Sequence, residues 1–117
     1  MKESVLRKKA MAFAKEIVFL CKSLQDESRE FVLSRQLLRA GTSIGANIYE
    51  ANYGQSENDF LSKLEIAQKE CFETEYWLEL MRETAYLSEE NYVKFHGHCV
   101  ELQKMLTASV KTIKSKK

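Results

Sequence analysis

Four apolar stripes of helical period run through this chain, and no proline interrupts them. In the first, Leu6, Ala10, Phe13, Ile17, Leu20 and Leu24 alternate spacings of four and three. That spacing returns each side chain to one side of an α-helix. The second stripe holds Leu37, Leu38, Ile44 and Ile48. The third runs Phe60, Leu64, Ala67, Cys71, Thr74, Leu78, Met81 and Ala85, widened by Trp77 and Leu80. The fourth is Tyr92, Phe95, Cys99, Leu102, Leu106, Ser109 and Ile113. A pattern of this period cannot bury one face as a strand, so the chain reads as all-α.

Helix limits follow from local chemistry. The first helix is predicted over Ser4 to Leu24. The second begins between Ser28 and Ser34 and ends near Gly54, which suits the position after a helix because glycine accepts positive φ. Ser56 and Ser88 read as N-caps of the third and fourth helices. Glu57, Asp59, Glu89 and Glu90 then sit in first turns, where the helix dipole favours negative charge. Short links make neighbours antiparallel, so residues 1–117 are expected to form one domain, an up-down-up-down four-helix bundle.

Composition excludes several classes. The longest apolar run, Ile17 to Cys21, is far too short to span a membrane. Nothing at the start resembles a signal peptide, so the expected location is the cytoplasm, without membrane contact. Cys21, Cys71 and Cys99 are odd in number and lack CxxC spacing, which reads as three reduced, small hydrophobes.

Charge is uneven although the net is only +1. Residues 1–25 carry six basic and two acidic side chains, and residues 87–117 carry six and three. Residues 56–86 carry three and eight. The first and last helices of such a bundle are neighbours, so their basic excess is expected on one side. Solvated faces, a phosphate-binding surface or complementary faces of neighbouring subunits each fit this pattern. The candidates for phosphate contact are Arg7, Lys8, Lys9, Lys15, Lys104, Lys111 and Lys114.

Catalytic strings fail on context. Gly41-Thr42-Ser43-Ile44-Gly45 matches G-x-S-x-G, but inside a helix and without the strand-turn-helix of a nucleophile elbow. His96, His98 and Cys99 cluster in sequence. Residues two apart on a helix point to different faces, however, and Cys99 belongs to the core stripe. No Glu-x-x-His pair supports a di-iron bundle. Glu70, Glu73 and Glu75 have no evident nucleophile or base partner and read as solvated or ion-paired. Trp77 reads as packing. With no phosphate loop or dinucleotide fingerprint either, the expectation is a non-enzymatic protein without cofactor or metal.

Residues 34–54 are the most unusual stretch. Gln36, Ser43, Asn47 and Glu50, spaced by seven, four and three, share one stripe, with Arg39 beside it. A solvated stripe would carry Lys and Glu, whereas this one is mostly uncharged. Gly41 and Gly45 lie mid-helix, where each costs roughly 1 kcal/mol against alanine. Close packing against another backbone would compensate, and packing within the chain or against a second subunit uses small residues for the same reason. Gln36, Arg39, Gly41, Ser43, Gly45, Asn47 and Glu50 are therefore the candidate oligomer interface.

QLLRAGTSIGANIYEA followed by QSENDFLSKLEIAQKECFETEYWLELM resembles the bacterial 23S rRNA intervening-sequence protein family. Gln36, Arg39, Ser43, Ile44, Asn47, Ile48 and Glu50 match its second-helix pattern. Ser56, Asp59, Phe60, Ala67, Glu70, Glu73, Thr74, Trp77 and Leu78 match its third. The resemblance implies a four-helix protomer in a cyclic homopentamer. It extends to the accessory protein of diversity-generating retroelements, a basic nucleic-acid binder, from which this nearly neutral chain departs. The expected function is an oligomeric scaffold, partnered by itself and by RNA or a ribonucleoprotein. The alternative is a protein-only assembly module.

Overall fold

The computed structural model describes residues 2–116, with side chains from residue 5 onward. Four helices follow in order: α1 (Lys2–Glu27), α2 (Val32–Ala51), α3 (Glu57–Glu83) and α4 (Glu89–Ser115). Each packs on its neighbours in the chain, and α1 closes the circuit against α4. Among the described residues the diagonal pairs α1–α3 and α2–α4 do not meet. The extents, 47 × 22 × 20 Å, are one long helix by two helix diameters. This is the expected four-helix bundle.

The apolar stripes supply one core. Ile17, Leu37, Ile44, Leu78 and Leu106 are completely buried in it. Cys21, Cys71 and Cys99 are free and buried there as well. Burial pushes the Cys21 thiol up to about 12, and a contact with Cys71, together with burial, raises Cys99. Two expected core positions move. Val110 rather than Ser109 takes the buried place on α4. Ala85 lies beyond the end of α3, exposed in the turn to α4.

The connections differ from expectation in instructive ways. Gly54 does not have positive φ. It is small because a Cβ there would come within 3.1 Å of the Asp59 Cβ and 3.2 Å of the Phe60 nitrogen. The positive-φ residues are instead Arg29 (55°) and Ala85 (67°), one in each of the other two turns. At Ala85 the chain doubles back so that the Tyr86 N–H donates to the Met81 carbonyl at 2.9 Å, closing the end of α3. The start of α2 is capped by Glu30, whose carboxylate accepts from the N–H groups of Val32, Leu33 and Ser34 at 2.7–3.0 Å. Burial alone would raise this carboxyl, but those three donors hold it below its usual value. Ser56 and Ser88 cap α3 and α4, accepting from Asp59 and Asn91 N–H groups at 3.1 Å.

Gly41 and Gly45 both turn toward α1. A Cβ on Gly41 would sit 3.0 Å from the Ile17 Cγ2, tighter than ordinary contact. One on Gly45 would meet the Ala10 Cβ at 3.5 Å. Gly97 on α4 faces open space. The three helical glycines therefore separate. Gly97→Ala and Gly45→Ala should each raise stability by up to about 1 kcal/mol through helix propensity. Gly41→Ala should gain nothing or lose, because Ile17 must yield. Thermal unfolding of the three single variants checks the order.

Candidate assembly and nucleic-acid faces

The polar stripe of α2 is directed at α3, where Glu50 and the neighbouring Arg39 find partners. Arg39 reaches Glu70 at 3.4 Å and pairs closely with Glu73. Glu73 also accepts from the Trp77 indole N–H at 3.0 Å. That indole hydrogen bond and the Arg39 guanidinium hold the Glu73 carboxyl below its usual range. Its hydrogen bond in turn raises Arg39. Glu50 pairs with Lys63 of α3 at 2.9 Å. Half-buried Asn47 donates to the Ser43 carbonyl at 2.8 Å. Gln36 is exposed. Gly41 and Gly45 both meet α1, so of the two uses of their smallness it is packing within the chain that is seen. Helical period identified the stripe but could not say which neighbour would meet it.

The seven basic candidates do not form one patch. Lys9 pairs with Glu101 across the α1–α4 seam at 3.3 Å, and Lys114 pairs with Glu65 of α3 at 2.9 Å. Arg7 stacks over the Tyr49 ring, 4.4 Å from its centre. Lys8, Lys15, Lys104 and Lys111 are exposed and, among the described residues, make no ion pair. The first two belong to α1 and the last two to α4.

The histidines lie on two sides of α4. His96 stacks on Tyr92 at 5.1 Å and faces Glu75 of α3 at 3.5 Å. His98 faces Glu16 of α1 at 3.4 Å, and Lys94 meets the same carboxylate at 2.7 Å. They share no ligand site.

Two faces that the core stripes left unread stand out. On α1, Met11 and Phe19 are 61% and 67% exposed, and Val5 and Val18 are nearly half exposed. Lys8, Lys15 and Lys22 recur among them every seven residues, with no acidic residue on that face before Asp26. On α3, Phe72 and Tyr76 are each 59% exposed. Glu79 and Glu83 continue their face toward the end of the helix, and Lys69 is its one base. Because α1 and α3 are diagonal, these two faces lie on opposite sides of the bundle. Gly41 faces Ile17 while nearby Arg39 reaches Glu70 and Glu73, so Val18 and Phe72 lie at a similar level. The signal was present in the sequence as large apolar residues at helical spacing outside the core positions.

The profile of the 23S rRNA-intervening sequence protein family matches residues 2–108. Among solved structures, the chain is similar to a protein of unknown function from the S23 ribosomal protein family of Bacteroides thetaiotaomicron VPI-5482. The two are 50% identical, with 95% of this chain and 99% of that chain covered and a TM-score of 0.94. No curated protein matches the chain.

The Arg39–Glu73–Trp77 contact can be followed optically, because Trp77 is the only tryptophan. Glu73 titrates below its ordinary 4.5. Its contribution to stability is therefore complete above that value and lost as pH falls through the depressed folded one. Trp77 emission should change in an acid step below pH 4.5 that precedes unfolding, and Glu73→Gln should remove the step.

Proposed function

The chain belongs to the 23S rRNA-intervening sequence protein family, and we propose that it acts there as a non-catalytic, self-assembling scaffold. The observation that carries this is the pair of opposed faces, basic and apolar on α1, acidic and aromatic on α3. Neighbouring large apolar residues left exposed and rimmed by charge mark interaction surfaces. Opposite charge on diagonal helices favours a contact of unlike faces between copies. Such a head-to-tail contact repeats, and it closes into a ring when the rotation permits. With the ring axis along the bundle, residues at one level meet. Val18 and Phe19 of one copy then oppose Phe72 and Tyr76 of the next, and Lys22 approaches Glu79. The family resemblance suggests five copies. Gln36 and the exposed edge of α2 remain beside this contact rather than at its centre.

Light scattering at micromolar concentration should give a multiple of the 13.6 kDa chain mass, five-fold for the pentamer. Phe19→Asp and Phe72→Asp should each break the assembly, because each buries an unpaired charge. Mixed together they should pair, since each retains the face the other has lost. A monomeric parent, or variants that assemble normally, would remove the proposal.

RNA contact is a second reading, favoured by Lys104 and Lys111. They stand seven apart on α4 and, among the described residues, without acidic partners. The contact would be with phosphates, positioning without reading sequence. Affinity for a structured RNA should fall steeply with salt, and Lys104→Ala with Lys111→Ala should reduce the slope by about one per lysine. A double variant with an unchanged slope would refute it.

A further inference from the structure

Where α2 passes into α3, a hollow of about 480 Å³ opens on the surface. Tyr49, Tyr53, Gln55, Asp59, Ser62 and Lys63 are among its lining residues. The two tyrosine rings lie 5.2 Å apart and tilted by 43°, forming a shallow V. Tyr53 is 67% exposed and offers an open ring face. Arg7 reaches across from α1, and its guanidinium carbon lies over the Tyr49 ring, 4.4 Å from the centre. A guanidinium has five N–H donors, so one lying over a ring still has N–H groups to offer an anion.

The charges around the hollow are balanced. Glu50 is matched by Lys63 at 2.9 Å, and the formal charge of the remaining carboxylate, Asp59, is offset by that of Arg7, which lies outside the lining, over Tyr49. Neither a bare cation nor a bare anion is favoured by a surplus. A flat, uncharged ring carrying one phosphate fits better, because the rings, the cation edge and the hydrogen-bonding wall each find a counterpart. Asp59 already accepts from the Gln55 N–H at 3.3 Å, and a carboxylate has further lone pairs to offer.

We propose that this hollow binds an unpaired nucleobase of a single strand. The base stacks on Tyr53, the adjoining phosphate meets the Arg7 edge, and an exocyclic amine of the base donates to Asp59. Adenine and cytosine carry such an amine and uracil does not. Stacking on tyrosine accepts any base, so Asp59 supplies the preference. The site deepens the RNA-contact reading and rests on it, but it uses none of the α4 lysines. In a ring the hollow would recur once per subunit, so a single strand crossing several copies gains avidity from individually weak sites.

The test is fluorescence anisotropy of end-labelled homopolymers about ten nucleotides long, within the usual span of single-strand sites, titrated with the full chain at low salt. Oligoadenylate should bind more tightly than oligouridylate. Tyr53→Ala should weaken oligoadenylate roughly tenfold, whereas Tyr53→Phe should bind as the parent does, because stacking survives. Asp59→Asn should shrink the adenine-over-uracil preference. Tyr53 is exposed, so its variants should keep the parent's circular dichroism. Ribose and deoxyribose oligomers distinguish the strand. Tighter ribose binding assigns RNA, and equal binding assigns single strands of either kind. Parent-like binding by Tyr53→Ala would overturn the site. If the Lys104→Ala, Lys111→Ala pair then still lost affinity, the α4 reading would stand without it. No binding by any oligomer and no structured-RNA binding would overturn both.

Discussion

Gly41 and Ile17 leave no room for a side chain between them, and this one close approach arranges much of the remaining surface. With α2 drawn against α1, its polar stripe turns toward α3. There Arg39 and Glu50 find Glu70, Glu73 and Lys63. These pairs are half-exposed, and exposed ion pairs contribute about 0–1 kcal/mol each, whereas each fully buried Ile, Leu or Phe contributes roughly 1.5–3 kcal/mol. The pairs therefore set rotation and register, while the core supplies the stability. Once that rotation is fixed, the outward sides of α1 and α3 are fixed too. Their unburied aromatics follow from a choice made on a different helix.

The bundle was legible from period alone, because a stripe at 3.6-residue spacing has only one way to hide. Ser56 and Ser88 were legible because a serine oxygen can satisfy the N–H groups that a helix leaves open. Glu30 was not, since its carboxylate reaches forward from outside the helix and no simple cap pattern marks it. Gly54 and Ala85 show how a residue type can mislead. Glycine permits positive φ but is also the smallest residue, and here it is its size that is used. Ala85 takes the left-handed turn at a cost of roughly 1–2 kcal/mol, and its neighbours' hydrogen bonds to Met81 help to offset that cost.

The site was harder to read than the fold. Period assigns residues to a face, yet it does not say whether that face meets the chain's own next helix or another molecule. Arg39, Glu50 and the two glycines met their own chain. Lys9 and Lys114 found carboxylates on α4 and α3, which a count of charges along the sequence could not reveal. Met11, Phe19, Phe72 and Tyr76 were visible as large apolar residues between core positions, but only burial distinguishes a widened core stripe from an exposed one. The Arg7–Tyr49–Tyr53 group joins two helices and a turn, so no local pattern contains it.

The thin seam between α1 and α4 has a kinetic consequence. Most of the helix contacts lie between elements adjacent in the chain, and the two end helices meet through the Phe13–Phe95 ring contact and a few polar bridges such as Lys9–Glu101 and Glu16–Lys94. Little long-range loop closure has to precede the favourable packing, so contact order is low. Low-contact-order bundles cross their barrier in microseconds to milliseconds. Three successive hairpins can zip in sequence, and the seam can join last. Rapid, local folding of this kind leaves the aromatic faces of α1 and α3 exposed on an already formed protomer, which keeps the folding step separate from any encounter with another copy.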